Sequence, residues 1–238
     1  MKKTSIFYLP FIIMALLLSS CSKDDNTSTP SLDKTEVTLY VEETISLTYS
    51  GDNCIWTSKN PLIASVENGI ITANHIGETL IYANDAICKV TVKPRYTKYY
   101  EPYTEWGEDK SKIKQYMSDY EIKEEDAENI SYTGKNDILF YLYTFENAGL
   151  NASGFTTKLS ESNYLLDFLL ERYISVSNEG TTFIFSSIDK KTAIALRITL
   201  NGIMVGYIPL NTQTKTSLTD TESIFTQIDK LQDLNFQK

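Results

Sequence analysis

From position 32 to 93 the chain alternates apolar and polar residues in short runs broken by turn residues. Val37, Leu39 and Val41 share one face of the first run, and Thr44–Thr48 alternates again. Cys54–Thr57, Ala64–Val66, Gly69–Thr72, Thr79–Ala83 and Ala86–Val92 continue the pattern, with Gly51-Asp52-Asn53 and Asn60-Pro61 as breaks. Short strands at this spacing predict an all-β sandwich over 32–93. Trp56 can fill the space between two sheets, and Gly69 and Gly77 suit its tight turns.

The period changes near position 109. Ile113, Tyr116, Met117 and Tyr120 recur at i, i+3, i+4 and i+7, as do Leu166, Leu169, Leu170 and Tyr173. Each set predicts an amphipathic helix. Strands are expected at Ile130–Tyr132, Ile138–Phe145 and Gly154–Leu159 after the first helix. After the second they are expected at Thr182–Phe185, Ala193–Leu200 and Ile203–Ile208. The interval from Tyr120 to Tyr141 equals that from Tyr173 to Ile194. This layout predicts an α+β domain over 109–210, a duplicated helix plus three-strand meander. One antiparallel sheet with both helices on one face would bury both stripes. The connector, 94–108, carries Pro94 and Pro102 and is expected to be extended. Residues 211–238 form a polar, Thr-rich tail; Ile224, Ile228 and Leu231 hint at a short helix, and loose attachment is expected.

Composition narrows the chemistry. The 238 residues carry 22 Lys and Arg against 31 Asp and Glu, a net charge of −9. A nucleic-acid binder needs a basic footprint, so that class is excluded. His75 is the sole histidine, which excludes Ser-His or Cys-His catalysis built on any other residue. No Gly-rich phosphate loop, GxSxG elbow, Cys/His cluster or calcium loop occurs, so no cofactor or metal is expected.

Residues 1–20 have a basic start at Lys2 and Lys3 and an apolar run from Ile6 to Leu18, short for a bilayer span. Leu18-Ser19-Ser20-Cys21 resembles the lipobox of bacterial lipoproteins. The resemblance implies cleavage before Cys21 and lipid attachment to its thiol and amine, an anchor of two or three acyl chains. Residues 21–31 read as a flexible tether. Its Lys23-Asp24-Asp25 cluster resembles the acidic export signal of Bacteroidota surface lipoproteins, which implies the outward face of the outer membrane. Losing Lys2 and Lys3 leaves 20 basic against 31 acidic residues, a net charge of −11.

Ile55-Trp56-Thr57-Ser58-Lys59-Asn60, Ile63-Ala64-Ser65-Val66, Asn68 to Ala73, Gly77 to Ile81 and the closing Cys88 to Val92 resemble a bacterial immunoglobulin-like domain of group 2. That family implies a sandwich used as a spacer in surface proteins and adhesins, and brings no activity of its own. Tyr100 to Gly107, Ile113 to Met117 and Leu165 to Tyr173 look like regions that follow such domains in uncharacterised Bacteroidota lipoproteins.

The remaining candidates are few. Cys54 and Cys88 face one core and stand open between a disulfide and two buried thiols. Tyr96, Tyr99, Tyr100, Tyr103 and Trp106 in the connector either pack the hinge or stack on sugars or peptides, with Tyr99, Tyr103 and Trp106 the ligand-binding candidates. Glu121, Glu124, Glu125, Asp126 and Glu128 could supply paired carboxylates for glycoside hydrolysis, but read as a solvated loop. Glu171-Arg172 is expected to make exposed salt bridges or cap a helix, and His75 to sit in a loop. The expected function is a non-catalytic surface lipoprotein whose spacer presents a macromolecule-binding domain for adhesion or interaction. The alternative is glycan capture for nutrient uptake, and an inhibitor-like concave sheet rests on fold analogy alone.

Overall fold

A computed structural model describes residues 29–200 and 202–210. Cys21, the leader 1–20 and the tail 211–238 lie outside the described residues. The chain is mostly β, with two short α-helices among the described residues.

The first strands are β1 (Glu36–Tyr40), β2 (Thr44–Ser46), β3 (Trp56–Ser58), β4 (Ala64–Glu67), β5 (Ile70–Ala73), β6 (Gly77–Ala83) and β7 (Ala86–Lys93). They form a four-stranded sheet in the order β1-β7-β6-β3 and a three-stranded sheet β2-β5-β4. β1 runs parallel to β7, and the other pairs are antiparallel. Alternation explains the core: Val37, Leu39, Ile81, Cys88, Val90 and Val92 from one sheet meet Ala64, Ile71 and Ala73 from the other. Trp56 packs against this cluster. Asn68 and Gly69 turn the β4–β5 hairpin at φ 49° and 80°. A Cβ on Gly69 would lie 2.8 Å from the Leu47 carbonyl oxygen, so only glycine fits there.

Cys54 and Cys88 are free thiols, and the register explains why they do not pair. β6 lies between their strands, and Ile81 aligns both with Cys88 and with Ser58. Two strand spacings of ~4.8 Å and four residues of ~3.3 Å put the two Cα atoms roughly 16 Å apart. A disulfide needs about 7 Å or less. Burial pushes both thiols above their ordinary range, which suits inert side chains.

The second part begins with α1 (Lys110–Tyr116), then β8 (Ile122–Glu125), β9 (Asn129–Thr133), β10 (Ile138–Glu146) and β11 (Gly149–Thr157). A 3-10 turn at Leu159–Glu161 leads into α2 (Ser162–Leu170). β12 (Ile174–Glu179), β13 (Thr182–Ser186), β14 (Thr192–Thr199) and β15 (Gly202–Pro209) follow. One eight-stranded sheet results, ordered β12-β13-β14-β15-β11-β10-β9-β8, with every pair antiparallel. Each helix is thus followed by a meander of four strands, and the two meanders join through β11 and β15. Tyr141 and Ile194 stand on the third strand of each meander, and both are buried beneath the helices.

The expected three-strand meanders each lack one strand. β8 is exposed along its whole length and shows no alternation, because it is a charged edge strand. β12 hides behind a helical reading that ran on to Tyr173, whereas α2 stops at Leu170. The α2 stripe is also displaced: Leu165, Phe168 and Leu169 are buried, while Leu170 faces solvent. In α1, Ile113 and Met117 are buried as read, and Tyr120 lies beyond the helix end. Asp109 caps α1, its carboxylate accepting from Ser111 N at 2.9 Å and Lys112 N at 3.2 Å.

Candidate functional site

The connector is a structural strap. Tyr99 is only 5% exposed and meets Phe168 and Tyr164 edge-on at 5.4 Å each. Its hydroxyl donates to Glu161 Oε2 at 2.7 Å. Burial and that carboxylate push the Tyr99 phenol well above its ordinary range. Tyr103 is half-buried against Tyr116, with ring centres 5.2 Å apart. Tyr100 stacks on Tyr116 at 4.9 Å and on Tyr120 at 5.8 Å. Of the three ligand-binding candidates, Tyr99 is therefore held in the core, while Tyr103 and Trp106 are half-buried. Tyr99 belongs to the core cluster on the helix side of the sheet, and Tyr96, Tyr103 and Trp106 pack against that cluster.

Trp106 lines an open cleft. Its indole Nε1 donates to Thr192 Oγ1 at 3.1 Å, which fixes the ring between the connector and the β13–β14 loop. Thr104, Glu105, Tyr173, Ser187, Asp189 and Lys191 complete a cleft of about 430 Å³. The loop is braced from within. Ser187 Oγ donates to Asp189 Oδ1 at 2.7 Å and accepts from Thr192 N at 3.0 Å and Lys191 N at 3.1 Å. Burial, the largest influence on Asp189, pushes its carboxyl up. The Ser187 hydroxyl, the Lys191 amide and the Lys191 ammonium outweigh it, so the group ionises below its ordinary range. The cleft thus offers an aromatic wall beside an ionised carboxylate, an ammonium and hydroxyls. That set hydrogen-bonds and stacks on polar rings.

Glu171 forms the second notable constellation. It is 3% exposed and sits where sandwich, connector and sheet meet. Its carboxylate accepts from Arg95 N at 2.7 Å and Tyr96 N at 3.0 Å, and its carbonyl from Ile76 N at 2.9 Å. Arg172 Cζ sits over the Phe168 ring, 3.7 Å from its centre, and the guanidinium donates to Phe168 O, Tyr96 O and Glu101 Oε2. It also pairs with Glu171 at 3.5 Å. Tyr173 closes the network on Glu101. The ion pair is therefore buried rather than exposed, while the expected helix cap is present: Glu171 is the C-cap of α2, and Arg172 donates to Phe168 O at 2.9 Å. Residue spacing signals only a helix end here, because the partners lie about 75 positions away.

The other candidates stay apart. Glu124 and Glu125 lie on the exposed edge strand β8, and Glu125 pairs with Lys114 at 2.8 Å. Asp126 accepts from Glu128 N and Asn129 N, which makes it a turn residue. His75 Nδ1 donates to the Leu62 carbonyl at 2.6 Å and borders a shallow surface hollow with Glu42 and Asn74. Among the described residues no three His, Cys, Asp or Glu are grouped to hold a metal. No helix among them is long and apolar enough to cross a membrane.

No protein-family model matches the chain. A search of curated proteins finds no match either.

Proposed function

We propose that this chain is a non-catalytic surface lipoprotein, anchored through Cys21 to the outer membrane. Its sandwich, of the group 2 bacterial immunoglobulin-like type, is a spacer. Its second part, a duplicated α+β unit, binds a macromolecule. The matched four-strand meanders support the duplication. The observation that carries the reading is the Glu171 junction. One buried residue bonds the connector twice and the sandwich once, so the binding unit is held in a set orientation. A spacer needs that property, and a Gly/Ser linker would not supply it. Protease shaving and antibody labelling of intact cells test the proposal. Accessibility to both is expected, and protection from both until lysis overturns the surface reading.

Glycan capture is the second reading, favoured by the Trp106 cleft. Ring stacking plus ionised and hydroxyl groups suits saccharide recognition. A glycan array with the wild type and Trp106→Ala tests it. Binding that is lost in the variant is expected, and no binding to any glycan removes the reading.

A further inference from the structure

The eight-stranded sheet has two apolar faces, and the helices account for one. Ile113, Met117, Leu165, Phe168 and Leu169 of the helices all join the cluster containing Tyr141, Phe155 and Tyr207. The neighbouring residues along each strand point the other way and build a separate cluster from Leu142, Ile184, Ala193, Ala195, Met204 and Ile208. These should be open to water on a bare sheet face. Instead Ala193, Ala195 and Ile208 are 0% exposed, and Leu142 and Met204 only 5% and 6%. Among the described residues, only strands of the sheet itself and Leu210 contribute to this cluster.

The register gives this face a shape. Leu142, Gly154, Gly206, Ala195 and Ile184 stand opposite one another on β10, β11, β15, β14 and β13. Two glycines and an alanine form a floor between a leucine and an isoleucine. Four strand spacings make that channel about 19 Å wide, and an α-helix with side chains needs about 10–12 Å.

We propose that residues 211–238 of this same chain fill the channel, packing Ile224, Ile228 and Leu231 onto it as a third layer. β15 is a central strand, so the chain leaves the sheet at its middle. Leu210, the next residue after Pro209, already packs on the cluster, and its amide donates to Lys191 O at 2.7 Å. The 28 residues that follow are enough to return across the sheet. Ile224, Ile228 and Leu231 fall within ~60° of one another on a helix of 3.6 residues per turn, with Thr226, Asp229 and Lys230 on the other side. The apolar leader, Ile6 to Leu18, is the rival within the chain. It enters through Ser31, which is bonded to Ser50 at the sandwich.

The test is photo-crosslinking of the full 238-residue chain with benzoylphenylalanine at position 228, and in a second protein at position 204, followed by peptide mapping. Circular dichroism confirms that each probe protein folds. The expected result is links within one chain, from position 228 to β10, β13, β14 or β15, and from position 204 to residues 221–231. A probe at position 226 should give at least tenfold fewer. Links from position 204 to residues 6–18, links between two chains, or no links to the sheet overturn the proposal.

Discussion

Replacing Glu171 with alanine should loosen the junction that orients the two parts. The carboxylate accepts two backbone hydrogen bonds, at 2.7 Å from Arg95 N and 3.0 Å from Tyr96 N. A hydrogen bond to a charged group contributes about 1.5–3 kcal/mol. Arg95 is partly wet, so water can replace some of its loss, and a combined cost of about 3 kcal/mol is reasonable. Arg172 keeps Glu101 as a counter-charge and is not left unpaired. Trypsin reads the effect directly, since Arg95 and Lys98 lie in the strap. When opening is fast relative to cleavage, the rate follows the open population. A cost of about 3 kcal/mol therefore means roughly a hundredfold faster cutting between the two parts. Glu43→Gln is the control. It breaks a half-exposed pair with Arg95 at 3.4 Å, and such pairs contribute at most about 1 kcal/mol. Unchanged cleavage at Arg95 and Lys98 in Glu171→Ala would refute the junction argument.

Three further substitutions probe separate terms. The Tyr132 hydroxyl is buried without a partner, so Tyr132→Phe should raise stability in urea by up to about 1 kcal/mol; a loss of that size would contradict the assignment. Ala148 turns the β10–β11 hairpin at φ 65° beside Asn147 at φ 52°. Ala148→Gly should therefore add up to about 1 kcal/mol, and a lower urea midpoint would count against it. Asp137 bonds Lys158 and Lys98 at 2.8 Å each, and these hold its carboxyl down at about 2 against an ordinary 3.8. A depressed carboxyl stabilises the fold above its unfolded value and loses that contribution as pH falls through the folded one. Wild-type stability should thus decline between about pH 4 and 2. Lys98→Met should flatten that decline in an acid titration followed by circular dichroism, and an identical slope would reject the Lys98 role.

Period-two alternation placed each strand of the sandwich within a few residues, because half-buried strands must alternate. The core positions Val37, Leu39, Val90 and Val92 followed from it. Both helices of the second part were legible, but only the Ile113 and Met117 stripe of the first was placed correctly, since the buried face of α2 is Leu165, Phe168 and Leu169. The equal interval that sets Tyr141 and Ile194 on matching strands was legible too. β8 was not, since a charged edge strand buries nothing and leaves no periodic trace. Strand order likewise decided the cysteines: both share a favourable face pattern, but β6 intervenes, and distance across a sheet is invisible along the chain. The functional residues divide in the same way. Aromatic density in the connector was plain from the residues. Only packing separated Tyr99, held in the core, from Trp106, left on a cleft with Asp189 and Lys191 from a loop some eighty positions on. Glu171 carried only the signal of a helix end. Its role depends on backbone amides from a distant segment, and backbone groups are the same in every residue until the fold brings them together.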